Sequence, residues 1–188
     1  MKKHRNSKSN ILLFIMTGGL IMGLLISLFI IREELVRELL AERGSRWVPE
    51  IGSTVSDFEL INLQGQTVKF SEFHDSTVII NFWGTWCPPC KEEMPLLQKM
   101  YEKYSPGLVV LGVNVQDSPE QVRQFVNESQ IIFPILLDEE ASVAEQFNVR
   151  AFPTTFIVDS RGILRVQHIG LLFEDIFIEY LEKVEVEL

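Results

Sequence analysis

Cysteine is scarce in this chain: two residues in 188, Cys87 and Cys90. Two thiols exclude a disulfide-dense scaffold, and they supply only half of a four-coordinate zinc site. Histidine is scarcer than its usual share, with His4, His74 and His168 the only three, none at ligand spacing from the cysteines. Basic residues are outnumbered, 17 Lys+Arg against 26 Asp+Glu, for a formal net charge of −9. No basic stripe interleaved with aromatics occurs, which excludes nucleic acid as a partner. Internal repeats and low-complexity tracts are absent too. The length fits one compact domain of about 140 residues plus an extension.

What is present is uneven. The first ten residues carry Lys2, Lys3, Arg5 and Lys8 and no acid, leaving 13 basic against 26 acidic residues in the rest, a formal −13. An acidic domain is repelled by anionic lipid and is expected to stand off a membrane surface. Yet Ile11–Ile31 is a run of 21 residues without a charge. As a helix it would span roughly 30 Å, the thickness of a hydrocarbon core. A cleaved signal peptide has an apolar region of about 7–15 residues and a small-x-small exit. Here the run is longer and ends Leu28-Phe29-Ile30-Ile31-Arg32. An uncleaved single-pass signal anchor is therefore expected. Lys and Arg number four on each side of it, with Arg32, Arg37, Arg43 and Arg46 following. The N-terminal block is the more compact, and long C-terminal domains translocate regardless of charge. The expected order is a cytoplasmic N-terminus (1–10), a membrane anchor in the lipid bilayer (11–31), a juxtamembrane stalk (32–48) and an extracytoplasmic domain (49–188). Gly19 and Gly23 have GxxxG spacing, but glycine is common in membrane helices and no dimer is read from it. Arg32 to Arg43 reads as a solvated helix stopped at Gly44.

The domain alternates strands and helices. Strand-like pieces run Asp57–Leu63 and Thr67–Phe70, joined at Gly65. Thr77–Trp83 and Leu108–Val115 are nearly continuous apolar runs, as strands buried on both faces are. A helix runs from the cysteines to about Tyr104. Ser118-Pro119-Glu120-Gln121 is a helix start with a Ser cap and a first-turn proline, leading to about Ser129. Then come a strand over Phe133–Leu137, a short helix over Ala141–Phe147, a strand over Thr154–Val158, a turn at Asp159–Gly162, a returning strand over Ile163–His168 and an amphipathic helix over Phe173–Val184. This pattern predicts a mostly parallel sheet covered on both faces, with a late antiparallel hairpin.

The cysteine pair lies in "GTWCPPCKEEMP", at a strand-to-helix junction. As a staple it would close four residues and stabilise by only about 2 kcal/mol. As a redox pair it is well placed. Cys87 falls at the helix N-terminus, where free N–H groups and the dipole favour a thiolate. Pro88 and Pro89 lack donors at positions that need none and stiffen the turn. Cys90, one turn on, can attack a mixed disulfide at Cys87. At about 100° per residue, Met94, Leu97 and Tyr101 share the core-facing stripe with Cys90. Glu93 lies on the flank of that stripe and Glu92 faces away. Glu93 is thus the partly buried carboxylate, raised in pKa by desolvation, that can move protons for Cys90.

The stretches "IGSTVSDFELINLQGQTVKFSEF", "VIINFWGTWCPPCKEEMP" and "VRAFPTTFIVDSRG" resemble the membrane-anchored TlpA/ResA-like branch of the thioredoxin superfamily, over about Pro49 to Glu182. The resemblance implies an α/β thioredoxin-like fold. Its parts are a central mixed sheet flanked by helices, an N-terminal strand extension, an inserted strand–helix unit between about Asp117 and Phe147, and one N-terminal transmembrane helix. It implies Cys87 as the exposed nucleophile, Cys90 as the resolving thiol, and Glu93 as the acidic residue kept near them. It places Pro153 as a cis-proline beside the cysteines, in a substrate groove with Trp86, Pro88, Pro89, Phe152 and Thr154. Trp83 is read as core. Two departures stand out. Thioredoxins proper have a buried Asp where this chain has Asn81, and ResA itself has an acidic residue between its cysteines.

The resemblance implies a thiol–disulfide oxidoreductase with no cofactor, acting on protein disulfides. Apocytochrome c during cytochrome c maturation is one such substrate, and a CcdA-type membrane protein would supply the electrons. The alternatives are a disulfide-donating oxidase, a peroxidase, which lacks its Thr-x-x-Cys site here, and a non-enzymatic copper-handling protein using His168 as a third ligand.

Overall fold

The computed structural model describes residues 22–37 and 48–184. The chain divides into two units, Met1–Arg46 and Trp47–Leu188. The described part of the first is a helix, α1, at 22–37. Residues 11–21 of the expected anchor and 38–47 of the expected stalk lie outside the described residues. Among the described residues no helix is long and apolar enough to cross a membrane.

The second unit has the order β1 (Glu59–Asn62), β2 (Thr67–Lys69), a 3-10 turn (Phe70–Phe73), β3 (Thr77–Trp83), α2 (Pro88–Tyr104), β4 (Leu108–Val115), α3 (Pro119–Glu128), β5 (Ile135–Asp138), α4 (Ser142–Gln146), β6 (Thr154–Val158), β7 (Leu164–Ile169) and α5 (Glu174–Lys183). The strands form one sheet in the order β2-β1-β5-β4-β3-β6-β7. This is a thioredoxin-like α/β fold, a mixed sheet flanked by helices, with β1 and β2 as the N-terminal extension. Segment 117–147 contributes α3, β5 and α4.

The expectation of a mostly parallel sheet is corrected. Only β3–β4 and β4–β5 are parallel, while β1–β2, β1–β5, β3–β6 and β6–β7 are antiparallel. Helix length supplies the reason. The 17 residues of α2 rise about 25 Å and return the chain to the start of the sheet, so β4 runs with β3. The five residues of α4 rise only about 7.5 Å, so β6 enters from the opposite end.

β3 is buried at every position, and its residues alternate between two cores. Ile79 and Trp83 face α2, α3 and α5, with Met94, Leu97, Val122 and Phe177. Ile80 and Phe82 face the extension and α4, with Phe58, Phe70, Phe147 and Phe156. Among the described residues two peptide bonds are cis, Phe152–Pro153 and Ser105–Pro106.

Candidate active site

β3 ends at Trp83, and the chain turns through Gly84–Cys87 into α2. Cys87 is the N-cap, with Pro88 and Pro89 in the first turn. The two cysteines are joined in a disulfide, Cα–Cα 5.3 Å. The Cys90 N–H donates to Cys87 Sγ at 3.3 Å. Of the first three helical amides, the two prolines have none to give. A single N–H therefore faces the sulfur at this helix start, whereas other sequences would offer more.

Cys87 is not exposed in this oxidised state: 3 % of its surface is accessible and Cys90 has none. Its sulfur is turned into the helix start, bonded to Cys90 and accepting the Cys90 amide. Access is shaped by Trp86, which is 52 % exposed. The indole Nε1 donates to Val115 O at 3.4 Å. Its ring meets Phe152 edge-on, centroids 5.1 Å apart. A Cβ on Gly84 would lie 2.5 Å from the indole, so only glycine lets the ring fold back over this turn. Pro88 is exposed and Pro89 half-buried. Pro153 is buried beside half-buried Phe152. Thr154 does not open onto a groove. It is 2 % accessible, and its hydroxyl donates to Ala151 O at 2.8 Å, bracing the loop around Pro153.

Glu93 is deeper than its helical angle suggests, with 1 % accessible. The loop between β7 and α5 closes over the flank of α2 and supplies the Leu172 N–H, which donates to Glu93 Oε2 at 3.1 Å. Asn81 Nδ2 donates to Oε1 at 2.6 Å and to Thr155 Oγ1 at 3.0 Å. Burial pushes the Glu93 carboxyl up to about 7, against the opposing pull of these two donors. Asn81 thus serves as a donor to the buried acid. Glu92 is exposed, as its helical angle predicts. Trp83 is fully buried in the core.

Sequence reasoning missed Asp117. Its Oδ2 accepts the Thr85 N–H at 2.7 Å and Asn114 Nδ2 at 2.8 Å, and its Oδ1 accepts the Thr85 hydroxyl at 2.7 Å. The carboxylate clamps the turn that carries Trp86 and Cys87. A signal existed: Asp117 closes a parallel strand at its C-terminal end, beside the cysteine turn, where α/β sheets place functional groups. Among the described residues no group of three or more His, Cys, Asp or Glu could hold a metal ion. His168 Nδ1 lies 3.1 Å from Tyr180 Oη, and Nε2 lies 3.2 Å from Leu171 O.

The profile of the AhpC/TSA family matches residues 51–167. Thiol-disulfide oxidoreductase ResA of Geobacillus kaustophilus is 35 % identical over 136 residues, 72 % of this chain and 78 % of that protein. ResA of Bacillus thuringiensis (strain Al Hakam) is 28 % identical over 185 residues, 98 % of this chain and 99 % of its own. Among solved structures, a protein assigned as the thiol:disulfide interchange protein DsbE from Chlorobium tepidum superposes with a TM-score of 0.68 at 27 % identity, over 72 % of this chain and 99 % of that one.

Proposed function

The chain belongs to the AhpC/TSA family and is a thiol–disulfide oxidoreductase of the ResA/DsbE type, and from that premise we propose that it is an anchored reductase of extracytoplasmic protein disulfides. Residues 11–31 hold it in the membrane with the N-terminus cytoplasmic and the domain outside. The uncharged run itself supports the anchor. Apocytochrome c is the substrate this reading favours, its thiols being reduced before haem attachment. A CcdA-type membrane donor supplies the electrons.

The observation that carries the reading is the disulfide at the start of α2 with a buried carboxyl three residues on. In the reduced protein the Cys87 thiolate attacks a substrate disulfide. One substrate sulfur leaves as a thiolate, and the other becomes bonded to Cys87. Cys90 gives its proton to the Glu93 carboxylate and displaces the second substrate sulfur from Cys87. Two electrons have then passed to the substrate, and the Cys87–Cys90 bond is restored. When the donor returns two electrons, Glu93 gives the proton back to Cys90. A carboxyl near 7 is half ionised at neutral pH and serves both directions. Pro88 and Pro89 favour reduction over oxidation. By withholding two N–H groups they stabilise the thiolate less, which makes the dithiol the readier electron donor.

The test is trapping. In the full chain, Cys90→Ala leaves mixed disulfides at Cys87, and mass spectrometry identifies apocytochrome c among the adducts. No adducts, together with no insulin reduction by the unsubstituted protein, would sink the reading. A measured reduction potential as high as a disulfide donor's would replace the reductase with an oxidase.

A further inference from the structure

Glu93 is gripped at both oxygens, and the two grips are backed differently. Oε1 is held by Asn81, which Thr155 braces in turn. Asn81, Thr155 and His168 are register partners across β3, β6 and β7. Paired residues of adjacent strands project to the same face of a sheet, so these three side chains form one polar row beneath α2.

Oε2 is held by the Leu172 N–H. That N–H shares a planar peptide unit with the Leu171 carbonyl. The carbonyl lies 3.2 Å from His168 Nε2. A carbonyl can only accept, so Nε2 bears the hydrogen, and in the tautomer with that single hydrogen Nδ1 accepts from Tyr180 Oη on α5. The Tyr180 hydroxyl, the imidazole, one peptide plane and the carboxylate thus form a single hydrogen-bonded chain. One residue before this plane, Gly170 sits at φ +100°, where the backbone turns most easily. Both ring nitrogens are occupied, which leaves neither for a metal.

We propose that His168 is a positioning residue for Glu93, holding the Leu171 carbonyl so that the Leu172 N–H of the same peptide stays aimed at the carboxylate. Bonds in such a chain polarise one another, so the imidazole also strengthens the donor it does not touch. Around the carboxyl, α2 contributes Cys87 and Cys90, silent while they are joined, β7 contributes His168 and α5 contributes Tyr180, while the other charged residues of α2 and α5 are exposed. The Lys99–Glu174 pair ties α2 to α5 at 2.6 Å on the exposed side. β3 and β6 present the uncharged Asn81 and Thr155.

The proposal rests on the reading of Glu93 as proton carrier, but its test titrates the carboxyl directly, without substrate. Trapping could therefore fail while this succeeds, and the reverse. The full-length oxidised chain in detergent is titrated by carbon NMR at the Glu93 carboxyl, with Glu93→Gln erasing and so identifying the signal. His168→Phe keeps a ring against α5 and removes the donor. It is expected to move the midpoint upward by about half a pH unit, since a loosened N–H favours the ionised form less. His168→Gln, whose amide can reach the same carbonyl, is expected to return it to the wild-type value. A His168→Phe midpoint within ~0.1 unit of wild type overturns the proposal, as does a Gln variant that shifts as far as Phe. Either result would make His168 a packing residue between β7 and α5. Should His168→Phe fail to fold, Tyr180→Phe decides. It leaves the ring but frees Nδ1, and a smaller upward shift is expected, an unmoved midpoint overturning the assignment.

Discussion

The two faces of the sheet rise from the same strands and bury different things. Toward the extension and α4 the interior is mostly aromatic carbon, with the Asp138 carboxylate buried against the start of α4. Phe58, Phe70, Phe82, Phe147 and Phe156 meet in a ring cluster with centroids 5.1–5.8 Å apart. Toward α2 and α5 the interior holds Asn81, Glu93, Asn114 and Thr155 among its apolar residues. Among the described residues, the buried side-chain atoms without a hydrogen-bond partner are Asn81 Oδ1, Trp83 Nε1 and Asn114 Oδ1. All three belong to β3 or β4 residues on the reactive face. Unsatisfied polar groups and a buried acid cost stability. The aromatic face offsets that cost: its buried acid, Asp138, is satisfied by the Val143 and Ala144 N–H groups and the Ser142 hydroxyl. One face holds the fold and the other holds the chemistry.

The sharpest way to break this division is Phe147→Ala. Emptying a fully buried ring site costs about 4 kcal/mol, read as a fall in the denaturant midpoint. The exchange rate of the folded fraction is expected to stay unchanged; a rate that fell with stability would merge the two faces. Glu93→Gln tests the other side. The carboxyl titrates near 4.5 when unfolded and about 7 when folded, so between these values the native state holds the extra proton. Stability therefore falls as pH rises through that window and levels off above it. Abolishing the charge is expected to add on the order of 3 kcal/mol at pH 8 and little at pH 4, while slowing resolution at Cys90. Equal stability of variant and wild type across the window would contradict a buried, raised carboxyl. The smallest effect is expected from Gly84→Ala. The new Cβ would displace the Trp86 ring, weakening substrate capture, with a stability change under about 1 kcal/mol because that ring is half exposed. Peptide-disulfide KM and the melting curve together check it.

Legibility in the sequence followed the range of the interactions. β3, β4 and β6 have the residues their apolar runs predict, because a strand buried on both faces is nearly continuously hydrophobic. The capping box at Ser118 and Gln121 is formed as the local pattern predicts. Edges governed by backbone chemistry drifted: β5 starts at Ile135, after Pro134, which has no N–H to pair. The direction of β6 depended on how far α4 carries the chain, which no local pattern encodes. The depth of Glu93 depends on Leu172, 79 residues away, and the clamp on Thr85 depends on Asp117, 32 residues away. His168 stood out in the sequence only as a spare ligand. Its pairing with a carbonyl needed the β7–α5 loop to be seen.

The N-terminal extension has a bearing on how copies of this molecule meet one another. Without β1, the strand Ile135-Leu136-Leu137-Asp138 would be the rim of the sheet, an apolar row with open backbone groups. β1 pairs with it through Ile61–Leu137 and Asn62–Leu136. The rim passes to β2, three residues long and ending at Lys69, whose Nζ lies 3.7 Å from Glu59 Oε2. A short, charged margin offers a second chain little to zip onto. At the other margin, the Thr54–Ile163 bridge occupies the approach to β7. The extension thus withdraws that apolar strand from the rim and leaves a short, charged edge in its place.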